Sequence, residues 1–294
     1  MSNTIEIQGV SKHYVDCKAL DEVSFTIKAG GVTALLGENG AGKTTLFNLV
    51  LGRQHPSSGS LSLFGHAPGN NQVKHRIGAI LQSANLAENL TVKEHLTLFS
   101  SYYLKHLPYD MISKTAMLED IEHKQVRHLS GGQKQRLLFA MSICGDPDLI
   151  ILDEPTVALD IASRKQFWQC IEQLKAQGKS IVLCTHYLEE ADALADDIVI
   201  LDKGKLLAET TPSELKGRMA EKHMRFQFKG SQQELENALE TRLEPINDYF
   251  VVKTATPEKL LAQLYRKSFV VNDLTITQTS LEDAFLSTLN HASH

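Results

Sequence analysis

The chain has 294 residues, a formal net charge of −5 and a hydrophobic content of 42%. This length allows one large domain or two ordinary ones, and the apolar content is enough for a packed core. The mild acidity provides no general attraction for nucleic acid or anionic lipid. No apolar run is long enough to cross a bilayer and the first residues lack a signal peptide's apolar stretch, so we expect a chain that does not span a membrane by itself.

The four cysteines are Cys17, Cys144, Cys170 and Cys184. No two of them have the spacing of metal ligands, and all lie in or beside apolar segments. We therefore expect reduced, buried thiols in a cytosolic protein.

The first predicted elements are two strands, at residues 4–10 and 23–27, in which apolar and polar side chains alternate. Such alternation is typical of antiparallel strands with one face in water. From residue 32 the pattern changes to continuous apolar runs at 32–36, 149–152 and 181–184. These runs predict parallel strands that are buried on both faces.

A glycine-rich motif follows the run at 32–36 and precedes a predicted helix at 45–51. The motif is Gly37-Glu38-Asn39-Gly40-Ala41-Gly42-Lys43-Thr44, which fits the phosphate-binding loop Gly-x4-Gly-Lys-Ser/Thr. Glycines allow backbone N–H groups to turn toward a triphosphate, and the helix N-terminus adds its positive dipole end. Lys43 would reach the β- and γ-phosphates and the Thr44 hydroxyl would bind Mg²⁺. The alternative, a chance glycine-rich turn, does not require this strand–loop–helix context.

The segment between residues 82 and 145 has few strand signals and contains two predicted helix starts. Thr91 and Glu94 form a capping-box pattern at the first start. The second start is Leu129-Ser130-Gly131-Gly132-Gln133, where Ser130 can cap a helix over 133–144. The Ser130 hydroxyl, the glycine N–H groups and the helix dipole can also form a second anion site. One phosphate loop and one separate anion site suggest that two chains share a nucleotide.

The apolar run at 149–152 ends in two adjacent carboxylates, Asp153 and Glu154. A buried parallel strand delivers such side chains to the edge of the sheet where ligands bind. Asp153 can hold Mg²⁺ through water, and Glu154 can orient or deprotonate an attacking water. An acidic pair that merely ends a strand is the simpler alternative, and the phosphate loop upstream argues against it.

The C-terminal part begins with a hairpin signal, in which Asp202-Lys203-Gly204 joins apolar runs at 198–201 and 205–208. A helix starting near Pro212 follows. From residue 223 the pattern is strand–helix repeated three times, which predicts a small α+β domain. We place the domain boundary at 1–220 and 221–294, with a helical subdomain at about 83–145.

Together these motifs resemble, in order and over about residues 4–215, the ATP-binding cassette (ABC) family of ATPases. Residues 129–133 resemble its signature sequence, Gln82 its Q-loop glutamine and Asp160 its D-loop aspartate. His186 matches the switch histidine, and Tyr14 stands where the family stacks an aromatic ring on adenine. Ala158 departs from the glycine that commonly precedes Leu-Asp, and the segment between residues 103 and 129 is short for the family.

The resemblance implies a P-loop NTPase cassette of the α/β class, with an antiparallel β subdomain and a helical subdomain. Two cassettes would associate head to tail around two ATP molecules, with Asp160 reaching across the interface. The implied catalytic residues are Glu154, His186 and Gln82, and the implied Mg²⁺ ligands are Thr44, Gln82 and Asp153. The implied nucleotide-binding residues are Tyr14, Gly37, Glu38, Asn39, Gly40, Ala41, Gly42, Lys43, Thr44, Thr45, Ser130, Gly131, Gly132, Gln133 and Asp160.

The segment 279–286, Thr-Ser-Leu-Glu-Asp-Ala-Phe-Leu, resembles the closing segment of bacterial exporters of the multidrug or antibiotic-resistance and sodium-export type. A terminal amphipathic helix packing on its own domain is compatible with the same pattern. The resemblance implies an ATPase that powers transport, in the export direction, through separate membrane permease subunits. We expect a homodimer, peripheral on the cytoplasmic face of the cell membrane, and no nucleic-acid partner.

Three other functions compete with a transporter ATPase. A non-transport ABC ATPase acting on a ribosome or a nucleic-acid complex would share the same core. A P-loop kinase or GTPase would share the phosphate loop but would not need residues 129–133 or His186. A purely structural or binding module would not need Glu154 and His186, which complete a hydrolytic set.

Overall fold

The structure, a computed structural model, describes residues 3–81, 86–218, 222–278 and 280–292. The chain divides into two compact units, residues 1–212 and residues 213–294. Each unit has its own sheets and its own buried side chains, so each is described separately.

A six-stranded sheet forms the centre of the first unit. Its strand order is β5-β6-β7-β3-β8-β9, and every pair is parallel except β8–β9. The strands are β3 (Gly31–Leu36), β5 (Ile77–Ile80), β6 (Leu149–Asp153), β7 (Ser180–Cys184), β8 (Asp197–Asp202) and β9 (Lys205–Thr210). The three predicted parallel strands and the predicted hairpin are therefore confirmed.

Both faces of this sheet are buried, which explains the continuous apolar runs. In β6, Ile150 and Leu152 face one core cluster while Leu149 and Ile151 face a second cluster. Adjacent residues in a strand point to opposite faces, so a strand buried on both faces needs apolar side chains at every position.

A three-stranded antiparallel sheet, with the order β2-β1-β4, contributes to the second of these clusters. Its strands are β1 (Asn3–His13), β2 (Lys18–Lys28) and β4 (Ser58–Leu63). The first two confirm the predicted alternation, although both are longer than predicted. The expectation that all four thiols are buried is wrong for Cys17, which lies in the turn between β1 and β2 and is exposed.

The first unit contains seven α-helices within the described residues, two of which begin at the predicted capping boxes. They are α1 (Lys43–Val50), α2 (Asn71–Lys74), α3 (Val92–Ser100), α4 (Tyr109–Thr115), α5 (Gly131–Ile143), α6 (Ile161–Ala176) and α7 (Leu188–Leu194), with a 3₁₀ helix at Val126–His128. Reciprocal capping boxes, Thr91 with Glu94 and Ser130 with Gln133, start α3 and α5 as predicted.

The described residues 86–148 contain α3, α4, the 3₁₀ helix and α5, joined by turns, as the weak strand signals there predict. Helices α3, α4 and α5 pack their apolar faces into one cluster that includes Leu96, Ile112 and Leu137. The same cluster contains apolar side chains of the central sheet, so the positions of these helices are tied to the strands.

The second unit contains a four-stranded antiparallel sheet with the order β11-β12-β10-β13. Its elements are β10 (Lys222–Phe228), α9 (Gln232–Leu239), β11 (Glu244–Ile246), β12 (Tyr249–Thr254), α10 (Pro257–Arg266), β13 (Val271–Gln278) and α11 (Leu281–Ala292), and α8 (Pro212–Arg218) spans the boundary. Buried side chains such as Met224, Leu235 and Leu260 join the sheet to α9 and α10. The short strand β11 was not predicted.

Gly78 shows how closely α5 packs against β5. A Cβ atom at this position would lie 1.8 Å from the backbone carbonyl oxygen of Ser142, near the end of α5. Backbone cannot yield as a side chain tip does, so an added methyl group must push the helix away from the strand.

We therefore predict that Gly78→Ala lowers the free energy of unfolding by about 1–3 kcal/mol, measured by urea denaturation. The matched control is Gly217→Ala, because a Cβ atom at Gly217 in α8 meets no atom within 4 Å. We expect this control to be neutral or slightly stabilising. A Gly78→Ala protein with the wild-type midpoint would contradict the packing of α5 on β5.

Candidate active site

The glycine-rich motif forms the loop between β3 and α1, as predicted. Gly42 is the N-cap of α1 with φ of 103°, and a Cβ atom there would lie 2.6 Å from the carbonyl oxygen of Ala19. Gly37 is similarly restricted, because its Cβ atom would lie 2.3 Å from the carbonyl oxygen of Leu201. Glycine is required at both positions by the close approach of other backbone segments.

Lys43 folds back over this loop. Its Nζ atom donates to the carbonyl oxygens of Gly37 and Glu38, at 2.7 and 2.9 Å. The ammonium group is therefore held above the N-terminus of α1, where two sources of positive potential coincide. This is the arrangement that an anionic phosphate chain needs.

The loop borders an open cleft of about 430 Å³. The residues that line it are Cys17, Lys18, Ala19, Asn39, Gly40, Gly42, Lys43, Thr44, Thr45, Asp153, Glu154, Cys184 and Lys203. The two halves of the predicted site, the phosphate loop and the carboxylates after β6, therefore meet in one cleft.

Asp153 and Glu154 stand at the carboxyl end of β6. Asp153 is buried, and its burial raises the pKa of the carboxyl group, while the Cys184 thiol and Lys43 act in the opposite direction. Its partner across the parallel pairing of β6 and β7 is Cys184. Glu154 has φ of 52°, in the left-handed region that a glutamate rarely adopts.

The unusual backbone of Glu154 turns the chain out of the sheet, and its N–H still donates to the carbonyl oxygen of Cys184 at 2.9 Å. Strained backbone of this kind is concentrated at functional sites. The side chain is 18% exposed and faces the cleft.

His186 follows β7 and contacts Glu154 directly. Its Nδ1 atom donates to Glu154 Oε2 at 2.7 Å, and 58% of its side chain is exposed. Because β6 and β7 are neighbours, the residues just beyond their carboxyl ends meet. A carboxylate and an imidazole in this contact can hold and orient a water molecule.

The signature segment lies elsewhere on the same unit. Ser130 Oγ accepts from the Gln133 N–H, and Gly131 and Gly132 pack against Ala158 and Leu159. Cβ atoms at these glycines would lie 3.3 Å from Ala158 Cβ and 3.1 Å from its carbonyl oxygen. The small alanine at position 158 therefore fits against the signature glycines.

Nine of the predicted nucleotide-binding residues, all within the described part of the chain, do not line this cleft: Gly37, Glu38 and Ala41 of the phosphate loop itself, and Tyr14, Ser130, Gly131, Gly132, Gln133 and Asp160. The predicted catalytic residue His186 does not line it either. Asp160 instead caps α6, where its Oδ1 atom accepts from the Ser163 N–H at 2.7 Å. This bond lowers the pKa of the Asp160 carboxyl group. The Tyr14 hydroxyl donates to Gln54 Oε1 at 2.6 Å. Gln82 lies outside the described residues.

The cleft also contains two cations that the sequence analysis missed, Lys18 and Lys203. Lys18 pairs with Asp21, and Lys203 lies in the turn between β8 and β9. The motif Asp202-Lys203-Gly204 indicated only a hairpin, because nothing local in it shows that the turn lies beside the phosphate loop. Both charges increase the positive potential for an anion.

Comparisons with known proteins show which family the chain resembles. Residues 20–157 match the family described as "ABC transporter". The Nod factor export ATP-binding protein I of Rhizobium sp. (strain N33) is 34% identical over 297 residues, which cover 96% of this chain and 95% of that protein. The protein of the same name from Burkholderia lata is 37% identical over 219 residues, or 72% of each chain.

Solved structures resemble the chain in the same way. An ATP-binding subunit of an ABC transporter superimposes with a TM-score of 0.66 and 29% identity, over 73% of this chain and 92% of that one. A dimeric ATP-binding cassette in a post-hydrolysis state, bound to ADP and Pi, gives a TM-score of 0.64 and 25% identity, over 70% of this chain and 98% of that one. The chain therefore belongs to the ATP-binding subunits of ABC transporters, the ATPases that drive transport.

Proposed function

We propose that this chain powers export through separate permease subunits, working as a homodimer on the cytoplasmic face of the membrane. Two relatives are named as export ATP-binding proteins, which supports the direction of transport and disfavours a ribosomal or nucleic-acid role. No helix in the described ranges is both long and apolar enough to cross a bilayer. The observation that carries the proposal is the cleft in which Lys43, Asp153 and Glu154 converge.

We assign roles to the charged side chains of that cleft and to His186, which contacts one of them. Lys43 and the N–H groups at the start of α1 bind the phosphates, and Lys18 and Lys203 add positive potential. Glu154 aligns or deprotonates the attacking water, and His186, bonded to Glu154, helps to orient it near the γ-phosphate. We include Gln82 and Tyr14 in the site as the γ-phosphate sensor and the adenine platform.

Oxygen donors in the cleft fit a magnesium ion. The Thr44 hydroxyl and the Asp153 carboxylate both line it, and Mg²⁺ favours oxygen ligands together with substrate phosphates. Gln82 would complete the protein ligands. When bound, the ion neutralises charge on the phosphates during transfer.

A head-to-tail dimer gives roles to Ser130, Gly132 and Asp160, which do not line the cleft of their own chain. Ser130 caps α5 and is exposed, as is Gly131, so this helix N-terminus is accessible to the nucleotide of a partner. Asp160, at the start of α6, packs through its neighbours Ala158 and Leu159 beside these glycines. A dimeric cassette among the similar solved structures supports such an assembly.

The first prediction concerns Glu154. Glu154→Gln preserves size and an oxygen acceptor for His186 but removes the charge that aligns water. We expect kcat for ATP hydrolysis to fall about 10²- to 10⁴-fold while ATP binding survives and an ATP-bound dimer accumulates on gel filtration.

Two further variants serve as comparisons for Glu154→Gln. Glu189→Gln, an exposed glutamate on α7, should keep wild-type turnover. Lys43→Ala should weaken ATP binding itself and form no ATP-dependent dimer. Steady-state hydrolysis near the wild-type rate in Glu154→Gln would remove Glu154 from its catalytic role.

The second prediction tests the shared site with two mixed dimers. One pairs a Lys43→Ala chain with a Ser130→Arg chain, which leaves one composite site with both elements intact. The other pairs a chain carrying both changes with a wild-type chain, which damages both sites. We expect ATPase activity only in the first dimer. Equal and measurable activity in the two dimers would overturn the head-to-tail arrangement, whereas no activity in either dimer would mean that the two sites are obligately coupled.

The third prediction concerns the permease contact. Leu86 packs against the helical core, whereas Leu98 on α3 and Leu104 after it are 42% and 98% exposed. Exposed apolar side chains of this kind favour a protein contact. We expect Leu98→Glu combined with Leu104→Glu to preserve basal ATPase activity but to lose co-purification with the permease and ATP-driven transport.

The matched control for that double variant is Val270→Glu in the second unit, where the side chain is 73% exposed. We expect this control to retain the permease. If Val270→Glu loses the permease and the double variant keeps it, the contact belongs to the second unit instead.

A further inference from the structure

The imidazole of His186 is one member of a stack of three side chains. Its ring centroid lies 4.1 Å from that of Tyr187, with 38° between the planes. On Tyr187, the guanidinium carbon of Arg164 lies 4.1 Å from the ring centroid. In addition to contacting Tyr187, the imidazole of His186 makes the 2.7 Å hydrogen bond to Glu154. Arg164 is thus linked to the catalytic carboxylate through two rings.

The stack restricts the motion of a side chain that is largely exposed to solvent. More than half of the His186 side chain is exposed, and an exposed side chain keeps its rotamer freedom unless contacts restrict it. A general base and its partner need a fixed geometry, since a misplacement of about 1 Å can cost about 10²-fold in rate. Tyr187 supplies a flat surface that restricts the imidazole.

Tyr187 is itself firmly held. Its N–H donates to Thr185 Oγ1 at 3.0 Å, and it is the N-cap residue of α7. Glu190, in the first turn of α7, is fully buried and accepts from Trp168 Nε1 at 3.0 Å and from Thr156 Oγ1 at 3.3 Å. Burial raises the pKa of Glu190, and these donors oppose that shift.

Both partners on α6 come from one face of that helix. Arg164 and Trp168 are four residues apart, so they lie one turn apart on the same side. Arg164 Nε is buried and has no hydrogen-bond partner within the described residues. The guanidinium instead contacts Tyr187 by stacking and cation–π attraction, with its carbon atom 4.1 Å from the ring centroid.

We propose that Tyr187 is a positioning residue for ATP hydrolysis, and that Arg164 clamps its ring against His186 so that the imidazole stays at Glu154. The inference rests on the proposed role of His186. Because Asp160 is the N-cap of α6, the clamp also makes the position of the imidazole depend on the helix that follows the D-loop.

The test compares four variants by steady-state kinetics. Tyr187→Ala and Arg164→Ala should each lower kcat about 10- to 100-fold and leave KM for ATP within about threefold. Tyr187→Phe retains the ring and should restore most of kcat. The matched control is Lys165→Ala, which removes an exposed cation next to Arg164 on the same helix. Wild-type kcat in both Tyr187→Ala and Arg164→Ala would overturn the proposal.

A double-mutant cycle identifies the route of the effect. If Tyr187 acts through His186, adding Tyr187→Ala to His186→Ala should cause no further loss of kcat. A further tenfold loss would overturn the clamp. Wild-type kcat in His186→Ala alone would overturn the proposed role of His186, and the clamp with it. Reduced kcat in His186→Ala with normal kcat in Tyr187→Ala would overturn the clamp alone.

The emission spectrum of Trp168 separates this role from a general loss of structure. Trp168 is the single tryptophan of the chain and bonds to Glu190 beside the clamp. We expect Arg164→Ala and Tyr187→Ala to keep the wild-type emission maximum and thermal midpoint. If both variants lose kcat only together with a shifted emission and a lowered midpoint, a structural role replaces the positioning role.

Discussion

The pairing of β6 with β7 is the constraint on which the site depends. Asp153 is paired with Cys184 across the two strands. Glu154, one residue after Asp153, and His186, two residues after Cys184, therefore leave the sheet side by side. A shift of one residue in the register of a strand turns every side chain to the other face. Such a shift in β6 would bury the side chain of Glu154, which lines the cleft. The apolar clusters on both faces of β6 fix that register. The same strand register therefore determines both how the core packs and where the residues of the proposed site lie.

Three lysines that are far apart in the sequence contribute positive charge to the cleft beside this sheet. Lys18 is the first residue of β2, Lys43 is the first residue of α1, and Lys203 lies in the turn between β8 and β9. The three residues belong to separate parts of the chain, and the fold brings them to one cleft. Helix α6 and the N-cap of α7 provide Arg164 and Tyr187, the side chains that we propose hold the exposed His186 in place.

Local signals were sufficient for much of this architecture. The phosphate loop, the capping boxes at Thr91 and Ser130 and the buried strand at β6 each depend on a few adjacent residues. β4 was missed because Ser-Gly-Ser-Leu-Ser-Leu has little strand propensity and is stabilised by pairing with β1. The stack of Arg164 on Tyr187 joins residues from two helices, and no spacing in the sequence predicts it.

The left-handed backbone of Glu154 has a consequence for how this protein can be improved. A residue with a Cβ atom in that conformation carries strain of order 1–3 kcal/mol, which glycine would relieve and asparagine would reduce. Selection for heat resistance alone would therefore favour replacements that remove the carboxylate to which we assign the alignment of water. Stability and the proposed chemistry make opposite demands on this one position, so a more stable variant is not thereby a more active one.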